Sequence, residues 1–459
     1  MKQIFTSLFV FLSIAVFAQI TDEQLKQYPC LTLSNYDEYE HTQKVLNLIE
    51  NGVYDFPTLS QAPENYQPFY ISHYGRHGSR YSCDQKAYER IYNKMKAAYD
   101  ANALTDFGLK VYREVEIIYN DAIKRAGDLS YIGRMQHKGI ANRMMQNFPE
   151  VFDNPSVSID AKSTMIMRCA LSMMSFCEEI KAKHPNIQLR VDASNKFQYY
   201  MCNEKKSNPL EKEKEWQDKY NAWKQKYNQY SGDLDKRLFN NNKYVKDNVR
   251  MNGLTWNLYE MIQHIYAVDN IGIKRGESAI EQTLTTEDKI NYWKLSNAYW
   301  YVMFGNCPDL GGKSSHVVKY TVENIIEEAD KAIAQRTQDE RTCCTLRFGH
   351  DTGLMPLIVF LNLDNYGYAT NDFDTLHEHW CDFKSISMAG NLQIIFYKNV
   401  KDFSKDILVK FLINEREAHL PIEAYEGVYY KWNDVQKYMR SLIDEESAEP
   451  VANSGGFSL

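Results

Sequence analysis

"FYISHYGRHGSRYS", Phe69 to Ser82, is the stretch whose reading decides the fold. Phe69 to Tyr74 is apolar and aromatic and reads as a strand. It runs into Gly75-Arg76-His77-Gly78 and Arg80, and a helical pattern begins at Asp84. The same order of strand, charged turn and helix recurs twice. Val157 and Ile159 alternate with serines as a strand would, and Ser163 or Thr164 is placed to cap a helix running "MIMRCALSMMSFCEEIKAK" to the breaker Pro185. "TLRFG", Thr345 to Gly349, reads as a third strand, followed by His350-Asp351-Thr352-Gly353 and the helical "LMPLIVFLNL". Each charged group follows the carboxyl end of a strand. Open α/β sheets bind ligands there, and helix N-termini there favour anions.

The flanks of the chain therefore predict an α/β fold with a mostly parallel sheet packed between helices. The middle third differs. From Glu211 to Lys236 it is charged, with Trp216, Tyr220, Trp223 and Tyr227 at helical spacing, and further helical patterns cover Trp256 to Tyr266 and Asp288 to Phe304. The aromatic stripe reads as packing, with stacking on sugars as the alternative, and the lysines at 205, 206, 212, 214, 243 and 246 read as a solvated face, with attraction of a polyanion as the alternative. No internal repeat interrupts the pattern.

With 459 residues, 44% of them hydrophobic, the chain is long enough for a large core or two domains. A formal net charge of −7 gives no electrostatic footprint for nucleic acid or anionic lipid, so a basic site must be local. Lys2 precedes an apolar run from Ile4 to Phe17, with small residues before Gln19. This predicts an export signal cut after Ala18, a periplasmic or secreted location, and no stable membrane insertion afterwards. Nine cysteines follow, an odd number, with no C-x-x-C pair to suggest a zinc ribbon. Cys169 and Cys177 share one helix, about 12 Å apart by helical rise, and cannot bridge.

Arg168 lies on this reading one turn into a helix that is apolar on most faces. A guanidinium there costs desolvation unless an anion meets it or it snorkels to solvent. Arg76 and Arg80, two planar forks flanking His77, suit a tetrahedral oxyanion such as phosphate. If the His77 imidazole attacks phosphorus, it can carry the phosphoryl group covalently and divide hydrolysis into two easier steps. Gly75 and Gly78 would then let the backbone come close. Such chemistry needs further donors for the equatorial oxygens, which Arg168 and His350 supply, and an acid for the leaving alkoxide, which Asp351 supplies if it is held protonated. Singly, each residue also has a plain reading: His77 as a turn histidine, and His350-Asp351 as a helix cap. A metal held by His73, His77, His350 and Asp351 is opposed by the neighbouring Arg76 and Arg80, which would repel a divalent cation.

This set resembles the histidine acid phosphatases, the branch of the histidine phosphatase superfamily that includes phytases and multiple inositol polyphosphate phosphatases. The family signature R-H-G-x-R-x-P is matched by Arg76-His77-Gly78-Ser79-Arg80-Tyr81-Ser82, with serine in place of the final proline. His350-Asp351 matches the later histidine-aspartate pair. Weaker likenesses lie in "LSYIGRMQHKGIANRMMQNFPEVF", in "MRCALSMMSF" with Arg168 as the third arginine, in "MAGNLQIIFYK" as a late strand and in "LINEREAHLP" as the closing strand segment.

The resemblance implies a signal peptide at 1–18, an α/β phosphatase core in two parts at 19–200 and 336–459, and a mainly helical domain inserted at 201–335 as a lid over the pocket. It implies His77 as nucleophile, Asp351 as proton donor, and Arg76, Arg80, Arg168 and His350 as phosphate-binding residues. No metal or organic cofactor is expected, and the partner is a small phosphomonoester. "RHGSRY", "GRMQHKGIANRM" and "LINERE" look most like the inositol polyphosphate phosphatase group, which characteristically carries His-Ala-Glu where this chain has His350-Asp351-Thr352. Inositol polyphosphates are therefore the leading substrate class, with a general acid phosphatase or a non-catalytic phosphate-binding protein as alternatives. Ser82 bears on loop rigidity rather than on chemistry.

Overall fold

A computed structural model describes residues 20–201, 214–227, 230, 232–269, 272–310 and 314–447. The export signal at 1–18 and the lysines at 205, 206 and 212 lie outside the described residues.

The long first strand, β1 (Tyr66–Arg76), is buried at every position but Gln67, as expected of a strand covered on both faces. Strands β2 (Ser158–Ser163), β3 (Gln188–Asp192) and β4 (Thr342–Gly349) follow, then β5 (Asn391–Asn399), β6 (Leu408–Ile413), β7 (Arg416–Ala418) and β8 (Tyr430–Lys431). The sheet runs β3-β2-β4-β1-β5-β6-β7, with β8 on β6. β3, β2, β4 and β1 are mutually parallel, whereas β5 joins β1 antiparallel and begins an antiparallel flank. The mixed sheet thus has a parallel half, and that half carries the three strand ends picked out from sequence. "MAGNLQIIFYK" supplies β5, and "LINEREAHLP" supplies the end of β6 and all of β7.

Register aligns those ends. Arg76 sits beside Gly349 and Ser163 beside Phe348, so three chain reversals emerge at one edge. Backbone bonds tie them there: His77 N–H donates to Gly349 O at 3.0 Å, Thr164 N–H to Phe348 O at 3.0 Å, and Arg76 N–H to Gly390 O at 2.7 Å.

Two apolar layers cover the sheet. One face packs Ile71, Ile159, Leu346, Phe348 and Ile395 against the helices Tyr131–Asn147 and Met167–Lys183. The other packs Tyr70, Tyr74, Phe396 and Phe411 against the helices Lys319–Ala334, Asp351–Phe360 and Trp432–Ser447, and continues into the middle of the chain. There the helices Lys214–Tyr227, Met251–His264 and Thr286–Phe304 form where periodicity placed them. Trp223 is buried edge-on to Phe373, and Tyr220 and Tyr227 pack half-buried beside it, as expected of that part of the aromatic stripe, whereas the side chains of Lys214 and Trp216 lie outside the description; Lys243 and Lys246 are solvent-exposed. No helix among the described residues is long and apolar enough to cross a membrane. The eight described cysteines form no disulfide.

One expectation fails at a helix start. Neither Ser163 nor Thr164 caps the helix, which begins at Met167 after Ile166. Ser163 is the last residue of β2 and its hydroxyl donates to Thr164 O, while Thr164 Oγ1 meets His350. Met165, Ile166 and Met167 instead bridge strand to helix on the surface, with 55%, 44% and 70% exposure.

The helix after the first motif starts as expected, with the Asp84 carboxylate accepting from Lys86 N–H at 3.0 Å. The loop before it is held by backbone contact. A Cβ on Gly78 would lie 2.3 Å from Gly133 O, and one on Gly133 would lie 2.3 Å from Ser79 O, so the loop and the Tyr131–Asn147 helix touch through two glycines. Gln136 spans the contact, accepting from Ser79 N–H and donating to Ser79 Oγ, each at 2.9 Å.

Ser82 is also built in. Its N–H donates to Tyr88 Oη at 2.9 Å, its carbonyl accepts from Gly127 N–H at 2.9 Å, and its hydroxyl accepts from Asp84 N–H at 3.2 Å. Proline could not make the first bond. Ser82→Pro, although it restores the family signature, is expected to lower stability by about 1–3 kcal/mol. The urea midpoint measures this, and an unchanged or raised midpoint would contradict it.

Candidate active site

Parallel pairing delivers the functional side chains in order. β1 ends in Arg76 and hands the chain to His77; β4 ends in Gly349 and hands it to His350, the N-cap of the Asp351–Phe360 helix; β2 ends in Ser163, and Arg168 follows in the first turn of the next helix. The rings of His77 and His350 meet edge-on with centroids 5.7 Å apart.

His77 is 1% exposed, and its Nδ1 lies 2.9 Å from Gly78 O. A carbonyl only accepts, so Nδ1 carries the proton and Nε2 keeps its lone pair. Burial, then the charges of Arg76, Arg80 and Arg168, hold the imidazole pKa well below its ordinary value. The ring is neutral, with Nε2 as its basic atom, which is the form a nucleophile needs.

Arg76 is fully buried. Its Nη1 donates to Asn35 Oδ1 at 3.0 Å, to Asn35 O at 3.3 Å and to Ile386 O. Nη2 faces Asp351 Oδ2 at 2.8 Å. Arg80 donates from Nη1 to Tyr81 O at 2.9 Å and lies 6.0 Å from the Tyr36 ring centre. The buried Nε atoms of Arg76, Arg80 and Arg168 have no hydrogen-bond partner among the described residues. Three orphaned guanidinium donors around a neutral histidine fit a polyoxygenated anion, and they disfavour a divalent cation by repulsion. Among the described residues, the group of side chains able to gather on a metal is Cys30, Asp37 and His41, and there Asp37 is already paired with Arg275 at 2.6 Å.

Arg168 differs from its sequence reading. It lies in the first turn and is part-exposed, because Met165, Ile166 and Met167 around it are on the surface. Its Nη2 lies 3.5 Å from His350 Nδ1. His350 Nε2 meets Thr164 Oγ1 at 3.1 Å, and Cys169 Sγ sits 3.7 Å from that nitrogen and 3.8 Å from Nδ1. Burial and the charges of Arg168, Arg76 and Arg80, partly offset by Asp351, push the His350 pKa down to about 4.

Asp351 can serve as an acid only where it is held protonated, and in the protein alone the electrostatics oppose that. Burial raises its pKa, but Arg76, then Arg80 and His350, with a bond from Thr352 N–H at 2.8 Å, outweigh burial and hold the carboxyl below its ordinary range. In the protein alone Asp351 is a carboxylate.

Gly75 also plays a different part. A Cβ there would lie 2.6 Å from His73 Cε1, so the glycine makes room for that ring rather than for substrate. His73 is 1% exposed between Phe176 and Phe348, and burial, then His137 and Arg347, push its pKa down to about 3. It is a core histidine. Asn35, Thr164, Cys169 and Ser172, whose Oγ accepts from Gly78 N–H at 3.1 Å, touch the site although the sequence reading gave none of them a part in it. Only Thr164, next to a predicted strand end, could have been suspected.

The model of the histidine phosphatase superfamily (branch 2) matches residues 75–414. No curated protein matches the chain by sequence. Among solved structures, it is similar to a multiple inositol polyphosphate phosphatase from Bifidobacterium longum, with a TM-score of 0.65 at 15% identity over 88% of this chain and 96% of the other. The same enzyme in complex with inositol hexasulfate matches with a TM-score of 0.63 at 15% identity, over 89% and 97% of the two chains. A phytase from D. castellii matches with a TM-score of 0.63 at 13% identity, over 94% and 89%. At such identities the neighbours speak for the fold alone, whereas the family model takes in Arg76, His77, Arg80, Arg168, His350 and Asp351 in one span. The chain belongs to branch 2 of the histidine phosphatase superfamily and is a phosphatase of that family.

Proposed function

We propose that this protein is an exported phosphomonoesterase that works through a phosphohistidine intermediate, with inositol polyphosphates as its leading substrates. The observation that carries the reading is the neutral His77, its Nδ1–H held by Gly78 O, set among three guanidinium groups with unpartnered Nε donors. His77 Nε2 forms a bond to phosphorus as the ester P–O bond breaks, and the leaving alkoxide takes the proton of Asp351. The Gly78 carbonyl stabilises the positive charge on the phosphorylated ring through Nδ1–H. Water then attacks phosphorus, the Asp351 carboxylate takes its proton, and the P–N bond breaks to release phosphate and neutral His77. Arg76, Arg80, Arg168 and His350 hold the equatorial oxygens throughout.

Asp351 acquires its proton by linkage. A phosphoryl dianion among the arginines offsets the charges that keep Asp351 ionised and adds its own repulsion, so the carboxyl pKa rises on binding. Export rests on the N-terminal apolar run Ile4 to Phe17 with a cut after Ala18, and N-terminal sequencing of the exported protein tests it. The inositol polyphosphate preference is supported by the motif wording and by the fold shared with a phosphatase solved with inositol hexasulfate. A general acid phosphatase is favoured instead by the exposed apolar run Met165-Ile166-Met167 beside Arg168, which offers no charge to a second phosphate. A phosphate-release panel of phytate, sugar phosphates and aryl phosphates separates the two readings.

His77→Ala is expected to reduce turnover of an aryl phosphate by at least about a thousand-fold while leaving the melting curve in place; substantial residual turnover removes His77 from its role. Asp351→Asn is expected to slow alkyl phosphates by about 10²–10⁴-fold and aryl phosphates, whose leaving groups need less protonation, far less; equal losses would argue against a general acid. Binding of sulfate, which stays a dianion across pH 4–7 and brings no proton of its own, is expected to take up a proton between the lower Asp351 pKa of the protein alone and the higher one of the complex. Activity then falls as pH rises through the higher value. Calorimetry in buffers of different ionisation enthalpy measures the uptake, and zero uptake or release across pH 4–7 would oppose it.

A further inference from the structure

We propose that Asn35 is a positioning residue of the phosphate site, fixing the Arg76 guanidinium from a segment outside the region matched by the family model. The proposal deepens the phosphatase reading and rests on it. Asn35 lies in the short helical segment Pro29–Tyr36, about forty residues before the signature motif and ahead of the matched span 75–414. Both of its oxygens converge on one nitrogen of Arg76, Oδ1 at 3.0 Å and the carbonyl at 3.3 Å from Nη1.

The arrangement is held from behind. Asn35 Nδ2 donates to Ser34 Oγ at 3.3 Å, which turns the amide so that its oxygen faces Arg76. Ser34 adopts φ 60° and ψ −140°, a conformation that a residue with a Cβ rarely takes unless its surroundings dictate it. Its hydroxyl donates to Asp382, a fully buried carboxylate that also accepts from Trp293 Nε1 at 3.0 Å and Phe383 N–H at 2.8 Å. Asn35 O accepts from Met388 N–H at 3.0 Å as well, and Ile386 O and Gly390 O accept from the Arg76 side chain and backbone. Arg76 is thus clamped between residues 34–35 and the turn leading into β5.

The chemistry of the clamp is specific. Nη1 is satisfied by neutral oxygens alone, so its partners orient the guanidinium without cancelling its charge. Nη2 faces Asp351, and Nε remains for an anion. The plane of the fork is set before phosphate arrives, and little side-chain freedom is lost on binding. Asn35 does not touch substrate; it acts through Arg76.

Inorganic phosphate binding by calorimetry, kcat and KM for an aryl phosphate, and thermal melting would be measured for Asn35→Ala and for the isosteric Asn35→Asp. Alanine is expected to weaken phosphate binding about tenfold, to raise KM more than it lowers kcat, and to shift the pH limb set by Asp351 as Arg76 is released towards it. Aspartate keeps the acceptor and the shape but places a negative charge on Nη1, and it is expected to bind phosphate more weakly than alanine does. Wild-type phosphate affinity and pH profile in folded Asn35→Ala, or restoration of both by Asn35→Asp, would overturn the proposal. If the alanine variant fails to fold, the aspartate variant decides alone. A wild-type protein that neither binds phosphate nor hydrolyses any ester would overturn the phosphatase reading instead.

Discussion

Burying Arg76 is the constraint on which the site depends. A guanidinium with no exposed surface must find partners for its donors or the fold loses more than packing can return. Here Asn35, Ile386 and Asp351 meet Nη1 and Nη2, and the Gly390 carbonyl accepts from the Arg76 backbone. Each fixes a different piece of architecture. Gly390 ties the end of β1 to the start of β5, Asp351 sets the first turn of the helix after β4, and Asn35 brings the N-terminal segment against the sheet. One buried cation therefore holds together the pieces of the candidate site.

The same charge decides protonation. Three arginines and burial favour neutral His77 and neutral His350, and Arg76 with Arg80 favours ionised Asp351. In the mechanism proposed above, nucleophile and phosphate donors are thereby set before substrate arrives, but the acid is not. Its proton has to follow the substrate's negative charge, so an environment that suits the anion also makes the acid conditional on it. Two histidines four residues apart show how far position outweighs residue type: His77 meets the arginines, while His73 is sealed between Phe176 and Phe348.

Much of this was legible in the sequence because it is local. A strand has a period of two, its end is marked by glycine and charge, and a helix follows, so the three junctions at Arg76, Arg168 and His350 could be placed before any pairing was known. The middle helices were legible for the same reason. Local rules misled where a side chain had a distant competitor. Thr164 has the chemistry of a cap but turns to His350, and the helix starts at Met167 without it. Gly75 sits where substrate approach would need a glycine, yet the ring of His73 fills its space.

By itself the sequence determined the α/β class, the order of the three junctions and the identity of the cations and histidines, because periodicity and residue type are properties of short segments. Tertiary structure decided which atoms meet. Parallel register between β1, β2 and β4 brings ends separated by hundreds of residues to one edge, and no segment carries that information alone. It decided the ionised state of Asp351, since a pKa depends on charges that only folding assembles. It also brought in Asn35, whose bonds to Arg76 depend on a serine at positive φ held by a buried aspartate some 350 positions away, a contact that no local pattern encodes.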